Sequence, residues 1–161
     1  MIKIGVISDT HLSKPNERLY RLMEDHVFAD VVMILHAGDL INLEVLKVFS
    51  NKKVISVRGN MDRHEVAAKL PDKDILAIGR FRIGLIHGWG SPWGIEGRIK
   101  GCFTNVDAIV YGHTHKPSNH LRDGILFFNP GAFSGTFIMG RNCSVGILTV
   151  SDTIEGTIIR L

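Results

Sequence analysis

Short apolar runs and amphipathic segments alternate through the first 60 residues of the chain. The apolar runs are rich in Val, Ile and Leu, which is typical of buried strands, and the segments between them have helical spacing. This β-α-β-α-β order predicts a mainly parallel sheet with right-handed crossovers. The predicted strands cover 2–7, 31–35 and 54–57; one helix covers 17–28, with Leu19, Leu22, Met23 and His26 on or near its buried side, and a second runs from the N-cap Asn42 to about Ser50.

The second half of the chain predicts hairpins. Residues 75–78 and 81–86 are apolar runs on either side of Gly79-Arg80, which indicates a tight turn. The C-terminal segments 144–150 and 153–159 alternate apolar and polar residues, as a hairpin with one solvated face does. The other predicted elements are a Gly-, Pro- and Trp-rich loop at 89–94, a short helix over about 95–103, and strands over 107–111 and 125–128.

Length and composition indicate a globular protein. The chain has 161 residues, enough for a hydrophobic core, and we expect one domain over residues 1–161. Hydrophobic residues make up 45% and charged residues 22%, as in ordinary soluble proteins. The 19 Lys and Arg residues against 16 Asp and Glu give a net charge of +3, but they form no basic run, so we expect no stable nucleic-acid binding.

The sequence also bears on location. It contains no apolar stretch long enough for a membrane span, and its N-terminal residues begin a strand pattern rather than a signal peptide. Cys102 and Cys143 lack the spacing of a metal finger; a reduced pair is expected, with a disulfide as the alternative. We therefore expect a soluble cytoplasmic protein with no membrane partner.

Polar or glycine-bearing signatures follow six of the apolar runs. In a mostly parallel α/β sheet, binding sites gather beyond the carboxyl ends of the strands. Five of these ends supply Asp, His or Asn, which are ligands that borderline-hard divalent metals accept. The six signatures are Asp9/His11, Gly38-Asp39, Gly59-Asn60, His87, Gly112-His113-Thr114-His115 and Asn129-Pro130-Gly131.

Taken singly, these residues have ordinary structural explanations. Asp9 and Asn60 are common cap or turn residues, and a lone histidine such as His87 is often a hydrogen-bonded core residue. Their joint occurrence at successive strand ends favours a metal site. Seven candidate ligands are too many for a four-coordinate structural zinc and fit two metals that share a carboxylate. The candidates are Asp9, His11, Asp39, Asn60, His87, His113 and His115.

The same motifs, in the same order, resemble those of the calcineurin-like metallophosphoesterases. The chain length, the Ser8-Asp9-Thr10-His11 start, the block 35–39 and Asn129-Pro130-Gly131 are similar to the small prokaryotic phosphodiesterase branch. That branch also resembles the retromer subunit Vps29. The resemblance implies an α/β fold of the calcineurin-like metallophosphoesterase type, with a β-sandwich core flanked by helices.

The resemblance also implies a role for each candidate. One metal would be held by Asp9, His11 and His115, the other by Asn60, His87 and His113, and Asp39 would bridge the two. A metal-bridging hydroxide would attack phosphorus, with Asp39 and Asn60 as catalytic residues, and Asn60 would reach the substrate through its amide. Two divalent ions are expected, with Mn as the first choice and Ni, Fe, Co and Zn as alternatives.

One departure from the family bears on the substrate. The family's protein phosphatases have Gly-Asn-His-Glu, whose His is thought to protonate the leaving group, whereas this chain has Gly59-Asn60-Met61-Asp62. Methionine cannot donate a proton, which leaves Asp62, His64 and His36 as candidate acids. The departure favours phosphodiesters or activated esters over protein phosphatase substrates.

Two other functions remain as alternatives. A Vps29-like scaffold would bind proteins through an apolar surface and would carry a vestigial or non-catalytic metal site, but here all seven ligands are present. A nuclease would need a basic or aromatic groove to hold a strand. The only aromatic cluster near the predicted site is Trp89 and Trp93, and we expect these residues to pack over the site or to join subunits instead.

The expected partner is a small phosphodiester or nucleotide-like substrate. A homo-oligomer is a further expectation, because small members of this branch often pair.

Overall fold

Two five-stranded sheets form the centre of the computed structural model, which describes residues 1–24, 27–134 and 143–161. The strand order is β10-β9-β1-β2-β3 in the first sheet and β4-β5-β6-β8-β7 in the second. In chain order the strands are β1 (Ile2–Ile7), β2 (Met33–His36), β3 (Lys53–Ser56), β4 (Lys73–Ile78), β5 (Phe81–Ile86), β6 (Ala108–Val110), β7 (Ser118–Arg122), β8 (Ile125–Asn129), β9 (Ser144–Val150) and β10 (Ile154–Arg160).

The predicted sheet is confirmed in part. β1, β2 and β3 pair in parallel, as their alternation with helical segments requires. The first sheet as a whole is mixed, because β9 pairs antiparallel with β1 and β10, so the expectation of a mainly parallel sheet is wrong for it. Parallel pairing also occurs in the second sheet, where β6 lies parallel to β5 and β8. The predicted C-terminal hairpin is present, and it places β9 antiparallel beside β1. The β4–β5 hairpin around Gly79-Arg80 is also confirmed.

The helices are shorter than predicted. They are α1 (Glu17–Glu24), α2 (His64–Ala67) and α3 (Ile95–Lys100), together with a 3-10 helix over Leu43–Phe49. Asn42 caps the 3-10 helix, because its side chain accepts a hydrogen bond from the Glu44 amide at 2.9 Å. The predicted continuation of α1 includes His26, which lies outside the described residues.

Two elements were not predicted from the sequence. α2 spans four residues, which is too short to show a helical period. β7 is a polar, largely exposed edge strand that pairs antiparallel with β8, so it lacks an apolar pattern of its own. Both elements depend on their neighbours for stability.

Three apolar layers hold the fold together. The central layer lies between the two sheets and includes Leu35 and Phe128. A second layer packs α1 and the 3-10 helix on the outer face of the first sheet, and a third packs α3 on the second sheet. Complete burial of one such Leu or Phe side chain contributes about 1.5–3 kcal/mol. The sandwich core with flanking helices agrees with the predicted fold class. Within the part of the chain that the structure describes, no helix has the length and hydrophobicity to span a membrane.

Candidate metal centre

The seven candidate ligands come together just beyond the ends of five strands. Asp9, His11, Asp39 and Asn60 follow strands of the first sheet, whereas His87, His113 and His115 follow strands of the second. Contacts between their polar side-chain atoms join residues as far apart in sequence as His11 and His115. The centre therefore spans both layers of the sandwich.

Asp9, His11 and His115 form one group of converging atoms. His115 Nε2 lies 3.1 Å from Asp9 Oδ1 and 3.2 Å from His11 Nε2, and His11 Nε2 lies 3.9 Å from Asp9 Oδ1. Nitrogen and oxygen ligands bind a transition metal at about 2.0–2.2 Å, so ligand atoms around one ion lie roughly 3 to 4 Å apart. The spacing of this group fits a single cation.

Asn60, His87 and His113 form a second group. Asn60 Oδ1 lies 2.9 Å from His113 Nδ1 and 3.2 Å from His87 Nε2. His87 is buried, His113 is half-buried and Asn60 is exposed, so the group opens to solvent on the Asn60 side. An open side of this kind would admit a substrate.

Asp39 lies between the two groups. Its Oδ2 is 3.3 Å from His87 Nε2 and 3.9 Å from His11 Nε2, and its Oδ1 accepts a hydrogen bond from the Met61 amide at 2.8 Å. Asp9 and Asp39 also converge with His87 within 4.8 Å. Two buried carboxylates thus face four histidines, a donor set that suits two divalent cations.

One buried carboxylate oxygen tests whether a cation fits. Asp9 Oδ1 is inaccessible to solvent and accepts no well-formed hydrogen bond from the described residues, although His115 Nε2 is close to it. Asp9 Oδ2, in contrast, accepts hydrogen bonds from Ser8 Oγ at 2.6 Å and the His113 amide at 3.2 Å. A buried carboxylate oxygen without hydrogen bonds is costly unless a cation neutralises it. The residues present therefore fit a bound metal.

Backbone carbonyls fix the tautomers of two histidines. Ala37 O lies 2.7 Å from His87 Nδ1, and Gly90 O lies 2.7 Å from His113 Nε2. Because a carbonyl only accepts, these ring nitrogens carry the hydrogen. The opposite nitrogens, His87 Nε2 and His113 Nδ1, face the centre, and in the neutral rings they would offer lone pairs to a cation, as metal-binding histidines do.

The carboxylates also alter the pKa values of the histidines. The close contact of its Nε2 with the Asp9 carboxylate, at 3.1 Å, raises the pKa of His115. Burial lowers the pKa of His87, but the hydrogen bond to Asp39 and the charges of Asp9 and Asp39 outweigh it, so this pKa is raised. Burial has the larger effect on His11 and lowers its pKa. Two histidines of the centre thus hold protons more tightly than an ordinary imidazole.

The backbone at the centre is strained. Asp9, His11, Asp39, His113 and His115 all have positive φ angles, between 49° and 68°. Non-glycine residues adopt this conformation at a cost of roughly 1–3 kcal/mol each, and such residues cluster at functional sites. Gly59 and Gly112 permit the close approach of the loops: a Cβ atom at Gly59 would lie 2.1 Å from Asp39 Oδ1, and one at Gly112 would lie 2.0 Å from Ser8 Oγ.

Asp62 holds two ligand loops together. Its Oδ1 accepts a hydrogen bond from the Ile41 amide at 2.7 Å, and its Oδ2 accepts from the amides of Gly59 at 2.7 Å and Asp39 at 3.2 Å. Both oxygens are therefore engaged with backbone. This geometry disfavours Asp62 as the general acid that the sequence suggested and gives it a structural role.

Two residues outside the candidate set position the ligand loops. Asn129 Nδ2 donates to Gly112 O at 2.8 Å and to Thr114 Oγ1 at 3.1 Å, which fixes the loop that carries His113 and His115. Ser134 Oγ donates to Asp9 O at 2.9 Å. The Asn129-Pro130-Gly131 signature gave a signal for Asn129, whereas no sequence pattern indicated Ser134.

The other two candidate acids lie in different environments. His36 is completely buried, and burial lowers its pKa to about 3, so it is neutral near pH 7. Its Nδ1 accepts from the Gly38 amide, and its Nε2 lies 3.2 Å from Thr10 Oγ1. His64 is an exposed residue in the first turn of α2. The histidine of the family's phosphatases is replaced by Met61 in this chain, and the buried His36 does not take over as a charged acid near pH 7.

The fold and the centre define a metallophosphoesterase. A family model described as the calcineurin-like phosphoesterase superfamily domain matches residues 2–153, and the chain belongs to that superfamily. It is 36% identical to a protein of Methanothermobacter thermautotrophicus named "Probable metallophosphoesterase", over 98% of this chain and 91% of the relative. It is also 31% identical to a protein of Methanocaldococcus jannaschii named a phosphodiesterase, over 83% of this chain and 86% of the relative.

Solved structures share the fold. A structure described as a novel archaeal phosphodiesterase has a TM-score of 0.77 and 27% identity, over 99% of this chain and all of the other. Zinc-bound Vps29 from Entamoeba histolytica has a TM-score of 0.72 and 22% identity, over 99% of both chains. The likeness to Vps29 concerns the fold alone. The family implies divalent metal ions, and the clusters of candidate ligands agree with that implication.

Proposed function

We propose that this protein is a cytoplasmic phosphodiesterase that hydrolyses a small or nucleotide-like phosphodiester with two divalent cations, Mn²⁺ in the first instance. The observation that carries the proposal is the position of Asp39 Oδ2, between a group with His11 and a group with His87. The relatives of this chain include proteins named as phosphodiesterases, and this supports the choice of a diester.

The proposed assignment of ligands follows the two groups. Asp39 would contact both ions, and each ion would have three further ligands. When bound, the cations supply Lewis acidity that activates water and polarises the phosphoryl oxygens. The first ion would have Asp9, His11 and His115, and the second Asn60, His87 and His113.

The chain's own residues orient the substrate in this proposal. Asn60 Oδ1 faces His87 and His113, which leaves the Nδ2 hydrogens of this exposed side chain to donate to a phosphoryl oxygen. The buried carboxylates of Asp9 and Asp39 hold negative charge where the cations bind. The two residues that follow Asn60 do not supply a proton to the leaving group, because Met61 cannot donate and both oxygens of Asp62 accept from backbone amides. Substrates with good leaving groups are therefore preferred.

The first experiment is a comparison of two aryl esters. Protein stripped with chelator and reloaded with Mn²⁺ is assayed with bis(4-nitrophenyl) phosphate and with 4-nitrophenyl phosphate. We expect metal-dependent turnover with a higher kcat/KM for the diester. His113→Ala should lower that value by about 100-fold or more, since it removes a ligand. His120→Ala is the matched control, because His120 is exposed and pairs with Glu96 instead.

Other results would contradict the proposal. A dominant monoester rate would indicate a phosphatase whose acid has not been recognised. No turnover with Mn, Fe, Co, Ni or Zn would favour the rival function, a Vps29-like scaffold that binds partner proteins.

A further inference from the structure

A cleft beside the second ligand group has no role in the chemistry described so far. It has a volume of about 540 Å³, and its lining includes two of the candidate ligands, Asn60 and His87. Pockets that bind small molecules have volumes of about 300–1,000 Å³. A phosphodiester whose phosphorus lies at the candidate metal centre would extend one of its two substituents into this cleft.

Trp89 gives the cleft an aromatic wall. Its side chain is 47% exposed and lines the cleft together with the buried Ile86. The carbonyl of Trp89 accepts a hydrogen bond from Arg98 Nη2 at 2.9 Å, which fixes the loop that carries the indole ring. An indole held partly exposed beside an open apolar space provides a face on which a nucleobase stacks.

The charged residues of the cleft suit a nucleotide. Arg58 and Lys73 contribute two positive charges, and Asp72 contributes one negative charge through its 2.6 Å contact with Arg58 Nε. The remaining positive charge is Lys73, whose Nζ donates to Cys102 O at 2.6 Å, and it gives the cleft a net charge that suits an anionic substrate. A second exposed tryptophan, Trp93, lines a separate depression of about 410 Å³, and none of the seven candidate ligands lines that depression. Only Trp89 is thus positioned beside the candidate metal centre.

We propose that the cleft binds the nucleoside half of a nucleotide phosphodiester, with its base stacked on Trp89 and its phosphate at Asn60 and His87. This inference rests on the proposed function, since it assigns the substituent that stays on phosphorus. The other substituent is the leaving group and points away from the cleft.

Two substrates with the same leaving group test the assignment. The 4-nitrophenyl ester of thymidine 5′-monophosphate and methyl 4-nitrophenyl phosphate differ only in the retained half. In the Mn²⁺-loaded protein we expect a higher kcat/KM for the nucleoside ester. Trp89→Ala should reduce the ratio of the two values by about 10- to 100-fold, the loss expected for one base–aromatic stack. Trp93→Ala is the matched control and should keep the ratio.

Fluorescence gives a measurement that does not depend on turnover. The chain has two tryptophans, so Trp93→Phe leaves Trp89 as the single indole. Adenosine 5′-monophosphate should quench this fluorescence in a saturable way, whereas ribose 5-phosphate, which lacks a base, should not. The matched variant Trp89→Phe should show no saturable quenching of Trp93.

The outcomes separate the two proposals. Turnover of both esters with a ratio that Trp89→Ala leaves unchanged would keep the phosphodiesterase and overturn the assignment of the cleft. Absence of turnover with either ester in the unmodified protein would contradict the proposed function. In that case the titration still decides whether the cleft binds nucleotides, and a flat titration would overturn the inference.

Discussion

Individual side chains at the candidate metal centre are held in positions that are unfavourable without a cation. Asp9 and Asp39 are buried carboxylates, and both residues have positive φ angles. His87 and His115 compensate in part by holding protons close to these carboxylates. Occupation by divalent cations would displace those protons and satisfy both carboxylates at once.

The proposed bridging role of Asp39 gives the most direct prediction at this scale. Asp39→Asn removes the negative charge between the two groups, so we expect metal-dependent activity to fall by more than about 100-fold. Cation binding, measured by isothermal titration calorimetry, should weaken at both groups, while circular dichroism shows an intact fold. Asp152→Asn is the matched control, since Asp152 is exposed and remote from the candidate ligands. A fully active Asp39 variant would refute the bridging role.

Proton competition gives a second prediction. The raised pKa values of His87 and His115 mean that their protons stabilise the metal-free fold below the ordinary pKa of 6.5, and that this contribution is lost as pH rises through the raised values. Bound metal requires neutral imidazoles, so Mn²⁺ affinity should increase with pH. Calorimetry in two buffers of different ionisation enthalpy should detect on the order of one proton released per ion near pH 6.5. Affinity that does not change between pH 6 and pH 8 would contradict this reasoning.

At the scale of elements, the loop 88–94 and helix α3 support one another. Arg98, on α3, donates hydrogen bonds to the carbonyls of Trp89, Ser91 and Trp93. The same loop supplies Gly90 O to His113 Nε2. A helix residue thus fixes the orientation of a candidate ligand that it does not touch.

Removal of this support should affect one group of ligands more than the other. Arg98→Ala leaves the loop carbonyls without their donor, so we expect the affinity of the His113 group for Mn²⁺ to fall about 10- to 100-fold. The group with His115 should keep its affinity for Mn²⁺. A titration with Mn²⁺ followed by electron paramagnetic resonance distinguishes the step in which the His113 group binds from the step in which the His115 group binds. Lys100→Ala, also on α3, is the control. Equal weakening of both steps would mean a general loss of structure.

Asp62 joins the loops after β2 and β3, and its role can be separated from acid catalysis. Asp62→Ala removes the acceptor of three backbone hydrogen bonds, so the free energy of unfolding in urea should decrease by about 1.5–3 kcal/mol. The pH–rate profile of the remaining activity should keep its shape. Loss of the basic limb of that profile, with unchanged stability, would instead identify Asp62 as the acid.

At the scale of the whole molecule, the candidate centre joins two sheets whose facing surfaces form the central apolar layer. Asp39 follows the first sheet, and His87 follows the second. A cation held by both would therefore cross-link the layers of the sandwich. Binding to the folded state alone stabilises a protein in proportion to the logarithm of ligand concentration over Kd.

This link predicts a measurable gain in stability. Mn²⁺ at 100 times its Kd should raise the free energy of unfolding by about 2.7 kcal/mol for each site. Urea denaturation with and without chelator measures the change, and the Asp39→Asn variant should lose most of it. An equal gain in that variant would indicate binding elsewhere on the surface.

Local patterns in the sequence determined the strands other than β7, the helical segments other than α2 and the identity of the candidate ligands. Apolar runs such as 2–7 and 81–86 specify strands through contacts between near neighbours. The Asp, His and Asn residues that directly follow these runs can be identified as candidate ligands without a structure. Asn42 was predicted as a cap for the same reason, since the amide it binds lies two residues away. The family resemblance depends on these motifs.

Only the tertiary structure decided how distant segments pair. β9 lies beside β1, β7 forms as an edge strand on β8, and His11 meets His115 across 104 positions of sequence. The support that Arg98 and Asp62 give to the ligand loops is likewise absent from any local pattern. These features arise because packing brings together backbone groups that need partners, and a sequence read locally does not specify which groups will meet.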